Sequence, residues 1–216
     1  ISLRSLRAIR FSAKMGFVID EELEREIRSQ YITERIQNGI SRERIGKEVV
    51  GMIDTGRPAY CMDRLNAYNL LQAICGDSPC IQKGVDTIKS FEFYAKKYGC
   101  WDVENRRSVS VLAGLTLGFI PSFSESTDKT VLINAVQSIV IERLKLSMKE
   151  KNNVFTILCG LQYMIQFRDK LEWSRLEMGR FVLIAGEWWL ETLCLFASVH
   201  SPIESNILSP NDKCTA

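Results

Sequence analysis

Three arginines near the start of the chain have the type and spacing best suited to chemistry. Arg4, Arg7 and Arg10 recur every third residue in the segment LRSLRAIRF, residues 3–11. At about 100° per residue, this spacing places them within roughly a third of a turn of one another on a helix. Guanidinium groups are planar donors that suit phosphates and the acceptor edges of bases. On spacing alone, a solvated basic face explains them better, since surface charge is the usual fate of arginine.

A second basic stretch occurs late in the chain and could follow the backbone of an RNA. It contains Arg143, Lys145, Lys149 and Lys151. Counterion release makes such lysine and arginine contacts the main source of affinity for nucleic acids. A solvated helix face explains the stretch nearly as well, so both interpretations stay open.

The adjacent pair Trp188 and Trp189 could stack on bases. Neighbouring helix positions point about 100° apart, so at least one of the two is expected in the core. Because large aromatic side chains are so often buried, core packing is the favoured interpretation.

Motifs for catalysis are absent from the sequence. It contains no D-x-D, no Gly-Gly pair, no P-loop, no H-E-x-x-H and no G-x-S-x-G. The single histidine, His200, excludes most histidine-based triads. Seven scattered cysteines with no C-x-x-C are typical of reduced thiols rather than a zinc site. The sequence therefore predicts no catalytic residue and no metal ligand.

The elements that must position these residues are helices, with no convincing strand. Apolar residues recur at helical spacing over residues 3–15 and from Ile45 to Ile53. Gly16 is predicted to end the first helix, and Asp20 and Ser41 to begin the next ones. Helices are predicted at residues 3–15, 21–30, 41–53, 58–71, 81–98, 104–118, 129–150, 152–171 and 174–199. The expected fold is all-α, an irregular array of about eight helices without a sheet.

Bulk properties are those of an ordinary globular protein. The net charge is +2 and 46% of the residues are hydrophobic, which does not by itself indicate a nucleic-acid binder. The richest apolar run, residues 181–197, is interrupted by Glu187 and Glu191, so no membrane span is expected. No secretory signal is recognisable at the start.

Two motifs together resemble one known family. They are L-R-x-L-R-A-I-R-F-x-A-K-x-G-F-x-I-D-E-E-L at residues 3–23 and I-S-R-E-R-I-G-K-E-V at residues 40–49. In this order and spacing they closely resemble the neck of class II tRNA nucleotidyltransferases (CCA-adding enzymes), with eukaryotic, plant-like members nearest. Residues 143–151 and 175–193 are similar to the body of the same proteins, more weakly.

The resemblance implies roles for particular residues. Arg4 and Arg7 would contact the incoming nucleotide as part of a protein template, and Arg10 would support the helix or the RNA side. Further RNA-binding candidates are Lys14, Arg143, Lys145 and Lys149. Glu43, Arg44 and Glu48 would brace the neck, through ion pairs of Glu43 with Lys47 and Arg44 with Glu48 on the exposed side of their helix. The sequence departs from the family motif at Ile1, where an acid is expected, and at Ser2, where proline is usual.

The resemblance also implies a division of the chain and a function. Residues 1–56 would form the neck, 57–200 a helical body and 201–216 a disordered tail. The chain begins inside a helical pattern and without methionine, so we expect a fragment that lacks the catalytic head. The full enzyme would add CCA to tRNA 3′ ends from CTP and ATP with Mg²⁺ bound by carboxylates of the head, and this chain alone would be inactive.

Alternative functions stay open at this point. One is a non-catalytic tRNA- or RNA-binding helical module, another an inert remnant, and a third a poly(A) polymerase of the same superfamily. The expected partners are tRNA and nucleotides, with no membrane and no obligate protein partner. The expected location is intracellular, in the cytoplasm, nucleus, mitochondrion or plastid.

Overall fold

The described part of the chain is helical throughout. A computed structural model describes residues 2–101, 106–170 and 172–201, and no strand occurs in these ranges. The predicted all-α class is confirmed, with more helices than the eight or so expected. The helices are α1 Ser2–Met15, α2 Glu21–Ile27, α3 Gln30–Asn38, α4 Arg42–Ile53, α5 Pro58–Ala67, α6 Leu70–Cys75, α7 Ile81–Lys97, α8 Arg106–Leu117, α9 Lys129–Val136, α10 Met148–Ile165, α11 Arg175–Ala185 and α12 Trp189–His200.

The boundaries of the first helices follow the predicted signals. Gly16 has a φ of +70° and ends α1, a conformation that glycine adopts without strain. The side chain of Asp20 accepts a hydrogen bond from the backbone N–H of Glu22 and begins α2. Helix α2 ends at Ile27 rather than near Gln30, because Ser29 caps a new helix by accepting from the N–H of Ile32. Sequence reasoning missed that helix, α3.

The predicted helix at 129–150 is interrupted before its end. Helix α9 passes into a π-helical segment, Gln137–Arg143, in which the N–H of Leu144 donates to the carbonyl of Ile139, five residues back. A new helix, α10, begins after Ser147, whose side chain forms a reciprocal capping box with Glu150. The expected boundary at 150–152 is therefore wrong, and the S-x-x-E signal at residues 147–150 marks the true start.

The last predicted helix, 174–199, is broken at Gly186. This residue has a φ of +55°, and a short 3-10 turn, Gly186–Trp188, separates α11 from α12. By length and composition alone, the segment Arg175–His200 is apolar enough to cross a membrane. The expectation that no run meets this criterion is therefore wrong. Buried core helices pass the same test, and α12 packs against α7, α8 and α10.

One continuous core connects the two halves of the described chain. Helix α7 lies between α5, α8 and α12, while α1 packs against α3, α4 and α5. Helix α4 also contacts α8 and the π-helical segment. One buried cluster includes residues from Leu6 to Leu195, and a second, smaller one contains Met164, Phe181 and Ala185. The division at residue 56 remains a prediction, and most of the predicted tail, residues 202–216, lies outside the described residues.

Candidate functional site

Helix α1 carries the arginine series on a face that adjoins its core stripe. Leu6, Ile9 and Ala13 are buried, as their spacing predicted. Arg4 and Arg7 are exposed, and Arg10 is partly buried. Helical periodicity thus separates an apolar face that fixes the helix from a basic face that contacts solvent.

A single buried carboxylate holds two of the three arginines. Glu48 of α4 accepts a hydrogen bond from Nε of Arg7 at 2.8 Å and from Nε of Arg10 at 3.0 Å. The Glu48 side chain is 9% exposed, against 49% for Arg7 and 26% for Arg10. Each carboxylate oxygen binds a different guanidinium, so the ionised acid is fully paired and fixes both side chains.

This arrangement corrects the pairing expected for α4. Glu48 does not pair with Arg44 on an exposed face but points into the α1–α4 interface. Glu43 and Arg44 are exposed, and neither makes an ion pair within the described ranges. The brace of the predicted neck is therefore a contact between helices rather than a set of intrahelical pairs.

Arg10 is held more tightly than Arg7. Its guanidinium lies 4.8 Å from the centre of the Phe11 ring, and its side-chain stem lies along Gly51 of α4. Arg7 uses only Nε within the described residues, which leaves its terminal amino groups able to bind a ligand. Arg4 and Lys14 are exposed, and neither makes a hydrogen bond or ion pair with the described residues.

The second basic stretch does not form one helix face. Arg143 ends the π-helical segment and is half-buried beside Gly76. Lys145 is an exposed residue of the following loop with a φ of +54°, and Lys149 is exposed in the first turn of α10. These three candidates for RNA contact therefore come from three different backbone segments.

The two basic sets lie on different sides of α4. The backbone of Leu144, between Arg143 and Lys145, packs directly against Gly46 of α4. Gly46 and Glu48 are about 200° apart around that helix, and Glu48 faces α1. Helix α4 thus separates residues 143–145 from the arginines of α1, and nothing in the described structure joins them into one patch.

A cleft at the other end of α1 was missed by sequence reasoning. It has a volume of about 260 Å³ and lies between the end of α1, the loop that follows, α2 and α5. Its polar lining includes Arg57, Arg64, Tyr60 and Tyr68. The available signal was R-P-A-Y-C-M-D-R at residues 57–64, where two arginines lie two helical turns apart around a tyrosine.

Other candidate residues belong to the core. Trp188 is 6% exposed and lies under the guanidinium of Arg106, at 5.0 Å, while Trp189 is 45% exposed. This confirms that one of the two tryptophans is a core residue.

In the ranges that the structure describes, no group of three or more His, Cys, Asp or Glu residues is placed to hold a metal ion.

No protein-family model matches the chain, but a curated protein and a solved structure are similar to it. The tRNA nucleotidyltransferase cca1 of Schizosaccharomyces pombe is 25% identical over 209 residues, which cover 88% of this chain and 41% of that protein. The solved structure of the Thermotoga maritima CCA-adding enzyme complexed with tRNA_CCA superposes with a TM-score of 0.59 and 16% identity. The superposed region covers 92% of this chain and 44% of the Thermotoga chain. The chain thus spans less than half the length of each.

Proposed function

We propose that this chain, a relative of the CCA-adding tRNA nucleotidyltransferases, is the helical part of such an enzyme that contacts the incoming nucleotide and the tRNA. The observation that carries the proposal is the arginine pair held by Glu48, at 2.8 Å from Arg7 and 3.0 Å from Arg10. A guanidinium fixed at Nε keeps its terminal amino groups in one plane and direction. That geometry suits recognition of a planar base.

The proposed nucleotide contacts come from Arg4 and Arg7. Cytosine and adenine both present ring acceptors next to an exocyclic amine, and the arginines donate to the acceptors. Glu48 positions Arg7 from behind without touching the nucleotide. The carboxylate that would accept from the exocyclic amine is not at the motif's usual place, since Ile1 occupies the position where an acid is expected.

Phosphoryl transfer itself is assigned to residues outside the described structure. Nucleotide addition of this class uses metal ions held by carboxylates, which bind the triphosphate and the attacking hydroxyl. The described residues do not fit such a site, because they include no suitable cluster of ligands. We therefore derive no catalytic step from this chain, and CTP, ATP and Mg²⁺ are proposed for a longer protein that contains it.

A non-catalytic RNA-binding role is the second candidate function. The exposure of Arg4, Lys14, Lys145 and Lys149 supports it, because these cations have no carboxylate partner among the described residues. Neither candidate needs a protein partner. Both belong in a compartment where tRNA matures, namely the cytoplasm, nucleus, mitochondrion or plastid.

A tRNA-binding titration tests the proposal. We expect the chain to shift a tRNA that lacks its CCA end in a gel, with affinity that falls steeply as salt rises. Lys145→Ala and Lys149→Ala should each weaken binding several-fold, because both are exposed cations of the proposed RNA surface. Arg180→Ala should not, since Arg180 is exposed on α11, which does not pack against α1. Absence of salt-dependent binding at low ionic strength would reject the RNA surface.

An activity assay tests the missing chemistry separately. With CTP, ATP and Mg²⁺, the isolated chain should transfer no nucleotide to the tRNA. Robust CCA addition by this chain alone would contradict the assignment of catalysis to residues elsewhere.

A further inference from the structure

We propose that the cleft beside the end of α1 binds a phosphate group, through Arg57, Arg64 and the hydroxyl of Tyr68. The cleft is lined from Ser12 onward, eight residues beyond Arg4, which corresponds to roughly 12 Å along a helix, and none of Arg4, Arg7 and Arg10 lines it. It is therefore a separate site from the proposed nucleotide contacts. Its volume of about 260 Å³ is slightly below the roughly 300–1,000 Å³ typical of small-molecule sites, a size that suits a small anion.

Two guanidinium groups line the cleft without a carboxylate partner among the described residues. Arg57 and Arg64 make no ion pair there and lie over the ring of Tyr60, at 5.0 Å and 5.3 Å from its centre. Stacking on an aromatic ring holds a guanidinium plane in place while its N–H groups point outward at the edge. The two cations are thus oriented by the protein, and neither is neutralised by an ion pair with a described carboxylate.

The one acid of the lining is already paired. Glu24 accepts a hydrogen bond from Nη2 of Arg28 at 2.9 Å, and this contact lowers the pKa of the Glu24 carboxyl. Arg28 itself lies 4.7 Å from the centre of the Tyr68 ring. Arg28 and Arg64 both act on this carboxylate, and with Arg57 the arginines outnumber the one acid of the lining, an excess of positive charge that favours an anionic ligand.

Hydroxyl groups of the lining differ in what they can still donate. The Ser12 hydroxyl has one proton, which it donates to the carbonyl of Phe17 at 2.7 Å. The 2.8 Å contact between Ser12 and Tyr60 must then be a hydrogen bond from the Tyr60 hydroxyl to Ser12. Both protons are used, so neither group can donate to a ligand.

Tyr68 is the exception and the strongest indication of a ligand. The residue is 1% exposed, and its hydroxyl makes no hydrogen bond of ordinary geometry with the described residues, although the Glu24 carboxylate and the Arg64 guanidinium lie close enough to affect its pKa. Buried polar groups are nearly always paired, since an unpaired one loses its contact with water without compensation. Burial also raises the pKa of Tyr68, so the hydroxyl stays protonated. A phosphate oxygen in the cleft would accept its proton.

The chemistry of these donors selects phosphate over smaller anions. Two guanidinium groups and a hydroxyl can bind separate oxygens of one tetrahedral group. Phe17 and Val18 are exposed at the rim, where an apolar surface can contact a sugar or base. The inference of a phosphate site depends only on the residues that line the cleft. The further inference that the phosphate belongs to an RNA backbone depends on the proposed function.

Inorganic phosphate is the probe that tests the cleft itself. Titration calorimetry of the full chain should show one phosphate site. Arg57→Ala with Arg64→Ala should weaken it at least tenfold, and Tyr68→Phe several-fold. Tyr68→Phe keeps the buried ring, so it should fold, which a thermal melt would check. Arg180→Ala is the matched surface control. No binding by the unaltered chain, or equal losses in Arg180→Ala, would overturn the proposal.

A short RNA and tRNA identify the source of the phosphate. If the backbone occupies the cleft, Arg57→Ala with Arg64→Ala should reduce the salt dependence of tRNA affinity by about one to two ions. Loss of phosphate binding with unchanged tRNA affinity would support the phosphate site and overturn RNA as its ligand. If tRNA fails to bind the unaltered chain while inorganic phosphate binds, the proposed function is rejected and the phosphate site is supported.

Discussion

Nε of Arg7 in α1 donates to Oε1 of Glu48 in α4 at 2.8 Å, across 41 residues of sequence. Arg10 binds the other oxygen of the same carboxylate. The acid is nearly buried, whereas Arg7 is half exposed. Glu48 therefore both joins the two helices and sets the direction of a side chain proposed to contact a nucleotide.

Removal of that carboxylate should destabilise the protein. Glu48→Ala leaves two guanidinium groups at the α1–α4 interface without their acceptor. We expect the free energy of unfolding to fall by only about 1–2 kcal/mol, because water can still solvate part of both arginines. Urea unfolding measures it. Glu43→Ala, an exposed position of the same helix, should change stability by less than about 0.5 kcal/mol. Equal effects at the two positions would argue against the structural role of Glu48.

Gly46 should tolerate no side chain. A Cβ at this position would overlap the carbonyl oxygen of Leu144, a backbone atom that cannot rotate away. Gly46→Ala should therefore cost about 1–3 kcal/mol or more. Gly179→Ala is the control, since a Cβ there meets nothing within 4 Å. Because alanine favours a helix more than glycine does, this variant should raise the free energy of unfolding by about 0.5–1 kcal/mol. Chemical denaturation of both variants compares the two; a neutral Gly46→Ala would contradict the close approach.

The start of α11 should be sensitive to acid. Lys170 and the Ser174 cap lower the pKa of Glu177 to about 2, from an ordinary value of 4.5. A depressed carboxyl pKa stabilises the folded state above pH 4.5, and this contribution is lost as pH falls towards 2. Glu177→Gln should therefore be less stable than the unaltered chain at pH 6, and the difference should shrink at pH 3. A difference independent of pH would refute this assignment.

Cys100 and Cys194 should be convertible into a disulfide. Their sulfur atoms are 3.5 Å apart and both residues are buried. A small disulfide reagent would accept two electrons and two protons from the thiols as the Cys100–Cys194 bond forms. Burial should make the reaction slow. Peptide mapping after oxidation should find this pair, and Cys194→Ser should abolish it. A mapped disulfide to half-buried Cys159 instead would contradict the geometry.

The two adjacent tryptophans should differ sharply in their effect on stability. Trp188 is in the core, so Trp188→Ala should cost about 3–5 kcal/mol. Trp189 is largely exposed, and Trp189→Ala should cost under about 1 kcal/mol. Thermal melts of the two variants test the difference. Similar melting temperatures would show that the burial assigned to Trp188 is wrong.

Local patterns predicted much of the helical fold. The stripe of Leu6, Ile9 and Ala13 predicted α1, and Asp20 predicted the start of α2, because both signals depend on neighbouring residues. The break at Gly186 was not predicted, since a glycine inside an apolar run fits either a helix or a turn. The π-helical segment before Leu144 was missed for a similar reason, as its composition is that of an α-helix.

The site was less predictable than the fold. The arginine series was visible in the sequence, but its partner was not, because Glu48 fitted an intrahelical pair with Arg44 equally well. Only the packing of α4 on α1 decides between the two. The cleft at Tyr68 depends on α1, α2 and α5 together, and no spacing rule connects residues from three helices.

The position of α12 has a consequence for how the protein is made. This helix, the last among the described residues, packs against α7, α8 and α10, all of which are synthesised before it. At about 5–20 residues per second, a ribosome would need several seconds to pass from α7 to α12. During that interval the apolar surface of α7 that later contacts α12 remains uncovered. Nascent chains of this protein should therefore depend on chaperones until Leu195 has left the exit tunnel.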